Sequence, residues 1–176
     1  PVWLSNSSSA YNLVTVRMMT GDANTGSSTL SGLVNVSDLR YYAVTASNIP
    51  FKAGAPFVLT AAGIGYNTDD GVNSGNTNLR VALSFNERGT WTSYGPTNHT
   101  TTLSSPPTQL TSTTLSQSVA NGSSFSLALG NVTLGSNPLP FVLSSFTADL
   151  RRNGVHLQWS PANEVNVPAF FLERSS

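Results

Sequence analysis

Leu79-Arg80-Val81-Ala82-Leu83-Ser84-Phe85-Asn86 runs into Glu87-Arg88-Gly89 and then into Thr90-Trp91-Thr92-Ser93-Tyr94. Leu79, Val81, Leu83 and Phe85 alternate with Arg80, Ala82 and Ser84, the two-residue period of a strand with distinct faces. The polar turn at 86–89 joins it to a second short strand and predicts a hairpin with Trp91 near its base. Working outward, residues 11–19 (Y-N-L-V-T-V-R-M-M), 39–45 (L-R-Y-Y-A-V-T) and 56–61 (P-F-V-L-T-A) read as further strands, as do 111–119 and 123–129. No stretch of ten residues shows a helical period, because prolines, glycines and Ser/Thr clusters interrupt each one. Residues 97–108, poor in apolar side chains, read as a loop. About seven strands with a turn signal every ~8–15 residues predict an all-β chain, an antiparallel two-sheet sandwich of the immunoglobulin or jelly-roll kind. A partly open barrel has the same linear pattern.

The clearest break is Gly135-Ser136-Asn137-Pro138-Leu139-Pro140, where two prolines impose extended geometry and remove donors. It predicts a sandwich domain over residues 1–134, a proline-rich linker over 135–140 and a second β-unit over 141–176. In the second unit, strands at 141–150 and 155–159 flank Arg151-Arg152-Asn153-Gly154, whose Asn-Gly pair suits a tight turn. A third strand begins near Phe170 as the sequence stops.

Composition narrows the function classes. Apolar residues make up 39% of the 176, enough for a core, while charged residues are only 9%, far below the ~25% of an average domain. Ser, Thr and Asn fill roughly a third of the chain, so the surface is hydrated by hydroxyls and amides. Eight basic residues balance eight acidic ones, and Lys52 is the one lysine. Nothing in that balance supplies the cationic face a nucleic-acid partner needs. With no cysteine, disulfides, zinc-thiolate sites and cysteine nucleophiles are excluded. No apolar run reaches the ~18 residues of a membrane-spanning helix.

L-P-F-V-L-S-S-F-T-A, N-G-V-H-L-Q-W-S-P-A-N-E-V-N and F-F-L-E-R-S, between Leu139 and Ser175, together resemble the opening of a fibronectin-type-III-like module. That module is common near the C-terminus of large secreted proteins of the Bacteroidota, which leave by the type IX secretion system and carry a sorting domain further on. Pro161 and Pro168 depart from the pattern. More loosely, residues 41–130, with R-Y-Y-A-V-T, Y-N-T-D-D-G-V-N, G-T-W and F-S-L-A-L-G, resemble a β-domain often found just before that module. The resemblance implies an extracellular or cell-surface, modular, all-β protein, and it carries no catalytic residue over.

Each candidate site has a structural counterpart. Asn67, Asp69, Asp70 and Asn73 could offer hard oxygen ligands to Ca²⁺, although no bidentate Glu follows at a suitable distance; an Asx-rich turn uses the same residues to cap its own backbone. Tyr42, Trp91 and Tyr94 could form an aromatic platform for a surface glycan, or Trp91 could simply be core. His99 lies in the Thr-rich loop and His156 on the polar face of a strand, neither with an acid at suggestive spacing. No G-x-S-x-G is present. The expectation is therefore a non-enzymatic protein.

The last unit adds a physical clue. A fibronectin-like sandwich needs about seven strands, and here two and the start of a third are present. Left in water, Phe146, Leu157, Trp159, Phe170 and Phe171 would each forfeit roughly 1.5–3 kcal/mol. More of the same module, the first domain, or a neighbouring subunit paired by strand addition could cover them. The expected function is a structural or adhesive surface component, self-associating into a filament. The alternative is an accessory carbohydrate-binding module of a larger secreted enzyme.

Overall fold

A computed structural model describes residues 1–7, 12–48, 56–133, 143–151 and 154–161. The chain divides into two compact units, Pro1–Pro140 and Phe141–Ser176. The linker at 135–140 and the third strand expected near Phe170 lie outside the described residues.

The first unit contains β1 (Val2–Asn6), β2 (Asn12–Thr20), β3 (Thr29–Ser31), β4 (Asn35–Val36), β5 (Arg40–Asn48) and β6 (Phe57–Tyr66). A 3-10 turn at Thr68–Asp70 leads to β7 (Leu79–Ser84), β8 (Thr90–Ser93), β9 (Thr108–Thr111), β10 (Gln117–Val119) and β11 (Ser124–Asn131). Seven of these strands form a wide sheet in the order β2-β5-β11-β7-β8-β3, with β4 also paired to β11. The other four form a narrow sheet around β6, with β1 on one flank and β9 and β10 end to end on the other. The chain is thus an all-β sandwich. Its pairs are antiparallel except β3 with β8, which run parallel.

The core between the sheets follows the two-residue period. Tyr42, Val44 and Ala46 of β5 are buried while Tyr41, Ala43 and Thr45 between them are half-buried. Leu79, Val81 and Leu83 of β7 meet Leu127 and Leu129 of β11 in the same core. The other face of β7 is covered as well. Residues 21–39, which link β2 to β5, cross the outer face of the wide sheet as a strap. They bury a second, small core of Ala23, Val36, Ala82, Trp91 and Ala128. Trp91 is fully buried, and its indole Nε1–H donates to the Ala23 carbonyl at 3.1 Å. Arg88 stacks over the Tyr41 ring at 4.6 Å and donates to the Asp22 carbonyl.

The β7–β8 hairpin forms as the alternation predicts, but its turn carries strain. Glu87 (φ 56°) and Arg88 (φ 68°) both occupy the left-handed region, which costs non-glycine residues about 1–2 kcal/mol each. Asn86 compensates by accepting the Thr90 amide on its side chain at 2.8 Å. Asn tolerates the left-handed region better than Glu. Glu87→Asn is therefore expected to raise the melting temperature by about 2–4 °C, as thermal unfolding followed by circular dichroism would show.

The second unit, as described, is a hairpin of β12 (Leu143–Arg151) and β13 (Gly154–Pro161).

Candidate functional site

The acidic turn is built around an ion pair. Asn67 caps the 3-10 turn by accepting the Thr68 amide on its side chain, and Asp70 Oδ2 accepts the Asn67 amide in return. Arg40, at the start of β5, reaches both carboxylates: Nη2 lies 2.5 Å from Asp70 Oδ2 and Nη1 lies 3.5 Å from Asp69 Oδ2. Asp70 is fully buried. Burial pushes its carboxyl above the usual range, opposed by the Asn67 amide and the Arg40 charge. The Arg40 guanidinium thus occupies the place between the two carboxylates where a cation would bind them. Asn73 lies beyond the turn, and its carbonyl accepts the Thr101 hydroxyl. Among the described residues, no three His, Asp or Glu side chains converge as metal ligands.

Beside this turn is an open depression of about 320 Å³, bordered by Met18, Arg40, Tyr66, Asp69 and Pro107 among others. Tyr66 is fully buried. Its hydroxyl bonds His99 Nε2 at 2.9 Å and accepts the Thr102 amide, tying the loop after β8 to the core. Burial lowers the His99 pKa, and the Arg80 charge adds to that. Arg40, the cation of the depression, is already engaged by two carboxylates. These contacts hold the fold and leave that charge little to offer a ligand.

The aromatic residues proposed for glycan do not form a platform. Trp91 has no exposed surface, Tyr42 is 6% exposed within the main core, and Tyr94 packs edge-on against Phe85. Burial also raises the Tyr42 pKa, with Arg40 opposing. Among the described residues of the first unit, Trp3 of β1 is the exposed large aromatic, at 40%.

Asp38, at the end of the strap, has its pKa pushed up to about 6, chiefly by burial and further by the Asp22 charge, against a backbone hydrogen bond that lowers it. A carboxyl whose folded pKa is raised favours folding while protonated, and that contribution is lost as pH climbs from the unfolded value through about 6. Asp38→Asn is expected to stabilise the protein by on the order of 1 kcal/mol at neutral pH, discounted for partial hydration, and to have little effect near pH 4. Urea unfolding of both proteins across that range would reveal the converging stabilities.

The surface feature that stands apart is β2. It is nine residues long and, among the described residues, forms one edge of the wide sheet and pairs with β5 alone. Its register against β5 is unbroken from Asn12↔Asn48 to Thr20↔Arg40. It contains no proline, lysine or acid, and Arg17 is its one charge. Natural edges are ordinarily protected by such charges, prolines or bulges. Opposite the core-facing Tyr42, Val44 and Ala46 stand Met18, Val16 and Val14. Val14 packs on the core, but Val16 is 42% and Met18 56% exposed. Leu13 and Met19, on the outer face, are exposed too.

The β12–β13 hairpin shows a similar imbalance. Phe146↔Trp159, Ala148↔Leu157 and Leu150↔Val155 put six apolar residues on one face, with Thr147↔Gln158 and Asp149↔His156 on the other. Phe146, Leu150, Val155 and Trp159 are all exposed. Phe170 and Phe171, the other two residues expected in this cluster, lie outside the described residues.

Sequence reading brought neither Arg40 to the acidic turn nor Tyr66 to His99, since each pair is separated by about thirty residues in the chain. Nor was the β2 edge singled out in the sequence, although Leu13 and Met19 on one face and Val14, Val16 and Met18 on the other were a readable signal. Comparison of the chain with protein-family models, curated proteins and solved structures returns no match. No helix among the described residues is long and apolar enough to cross a membrane.

Proposed function

We propose that the protein is a non-catalytic, extracellular structural or adhesive component that associates through exposed β-structure and builds a filament. The observation that carries this reading is β2, a nine-residue edge with exposed apolar side chains and a single charge. Such an edge presents a row of free main-chain donors and acceptors to an incoming strand. Zero net charge lowers repulsion between copies. The apolar face of the β12–β13 hairpin offers a second surface for association. The resemblance of the last unit to fibronectin-type-III-like modules of type IX-secreted Bacteroidota proteins supports the cell-surface address.

The alternative, an accessory carbohydrate-binding module, now has its support in Phe146 and Trp159, which are paired across the hairpin and both exposed. Electron microscopy of the concentrated full chain separates the two. Fibres with a regular subunit repeat are expected. Isolated particles that instead sediment with insoluble polysaccharide would overturn the filament in favour of glycan binding.

A further inference from the structure

We infer that β2 pairs with β2 of a second copy, antiparallel, about a two-fold axis at Val16, so that two wide sheets become one. The inference deepens the associative reading above by naming the strand, the partner and the register.

The backbone shows which groups are available. Gly21 donates to the Leu39 carbonyl and Ala23 to the Ser37 carbonyl, continuing the β2–β5 register of Thr20↔Arg40. Antiparallel ladders alternate hydrogen-bonded and non-bonded pairs. The odd-numbered residues of β2 therefore turn their amides and carbonyls toward β5, and Val14, Val16 and Met18, like the terminal Asn12 and Thr20, turn theirs outward. A second β2 laid antiparallel across this edge forms about ten main-chain hydrogen bonds between such residues.

The side chains single out the register. With the axis at Val16, the nine residues of β2 overlap completely, because Asn12 and Thr20 lie equally far from it. On the inner face, Val14 then meets Met18 of the second copy and Val16 meets its own counterpart. On the outer face, Leu13 meets Met19 and Thr15 meets Arg17. Each exposed apolar residue finds an apolar partner, and the single charge faces a hydroxyl. Moving the axis to residue 17 sets Arg17 against Arg17, a like-charge pair that destabilises a sheet. Moving it to residue 15 sets Arg17 against Leu13 and Met18 against Asn12.

The geometry of the sandwich agrees. A two-fold axis normal to the sheet keeps both inner faces on the same side. Val16 and Met18, which the narrow sheet leaves exposed, become a continuous apolar strip between the two narrow sheets. An isologous contact of this kind closes after two copies. β2 therefore makes a dimer, and a filament needs another surface to join dimers.

The absence of cysteine makes the test clean. In the full chain, Val16→Cys places two thiols on the axis about 5.5 Å apart at Cα, within disulfide range. Mild oxidation is expected to yield a species of twice the 18.5 kDa chain mass. Thr15→Cys or Arg17→Cys alone sets the like residues about 8 Å apart, beyond that range. Neither is expected to cross-link by itself, while a mixture of the two is. Val16→Pro removes an outward amide and leaves the β2–β5 ladder its donors. It is expected to remain folded by circular dichroism and to sediment as a monomer where the parent sediments as a dimer. Cross-linking strongest through Arg17→Cys alone, or a parent that sediments as a monomer, overturns the pairing. Dimers without fibres leave the pairing standing and remove the filament. Fibres in which Val16→Cys does not cross-link keep the filament and remove the pairing.

Discussion

Trp91→Ala is expected to lower stability by about 3–5 kcal/mol, the largest loss of any single truncation in the first unit. Trp91 has no exposed surface and lies beneath the strap with Ala23, Val36, Ala82 and Ala128 around it. The three alanines cannot reach into the space a missing indole leaves, and Leu30, Leu33 and Tyr41, which pack against the same cluster, fill it only in part, so a cavity term remains. The substitution also removes the hydrogen bond to the Ala23 carbonyl. Because the strap adds little of its own to the main core, the damage is expected to appear there first. The amides of Gly21 and Ala23, which bond across the strap to Leu39 and Ser37, should exchange with deuterium much faster while those of β7 and β11 stay protected. Trp91→Phe keeps most of the volume and loses the hydrogen bond, at a cost of roughly 1–2 kcal/mol. Equal protection of strap and core amides in Trp91→Ala would contradict this account.

Arg40→Leu is expected to be nearly as damaging, for an electrostatic reason. It leaves Asp70 buried without its cation, which ordinarily costs about 3–5 kcal/mol. The penalty belongs to the ionised carboxylate, and burial already holds that carboxyl above its usual range. With Arg40 gone the carboxyl rises further, so the deficit should be largest at neutral pH and shrink as the solution is acidified through the carboxylate range. Asp70→Asn added to Arg40→Leu should recover most of the loss at neutral pH, because a neutral amide still accepts the Asn67 amide. Denaturant unfolding at two pH values for the single and double variants measures both effects. A deficit independent of pH would show that lost packing of the Arg40 stem, and not the stranded charge, is responsible.

What the sequence made legible follows from the range of the forces involved. The β7–β8 hairpin, the alternation of β7 and the strand at β5 are local patterns, and they stand where the sequence puts them. The hairpin of the second unit was equally plain, since Val155, Leu157 and Trp159 alternate with His156 and Gln158. The strap was not legible. Residues 21–39 are rich in Gly, Ser, Asp and Asn and resemble a loop, and their strands β3 and β4 are three and two residues long. They are ordered by the face they cover, which only the folded sheet supplies. Of the strand expected over 111–119, only Thr111, the last residue of β9, and 117–119, which form β10, are strand; the chain bulges out between them. Ser112 still bonds Ala62, and Leu115 returns to bond Thr60. The acidic turn was visible as a cluster, but its partner was not. The choice between cation ligand and capped turn depends on Arg40, which approaches from another strand. The aromatics were likewise ambiguous: Tyr41 and Tyr42 are adjacent, and only the strap reveals that Trp91 has two covered sides.

The narrowness of the β6 sheet and the long reach of the pairings also bear on time. Val2 pairs with Ile64, Tyr42 with Leu127 and Leu79 with Asn131. Apart from β7–β8, the described residues of the first unit include no pair of adjacent strands joined by a tight turn. Closing such distant pairs places the domain among slow folders, in the range of milliseconds to seconds, whereas the β12–β13 hairpin closes within ~1–10 μs. During that interval the apolar hairpin exists beside a sandwich still gathering its strands. A chain of this design gains from emerging slowly or in the keeping of a holding factor, since its stickiest element is finished first.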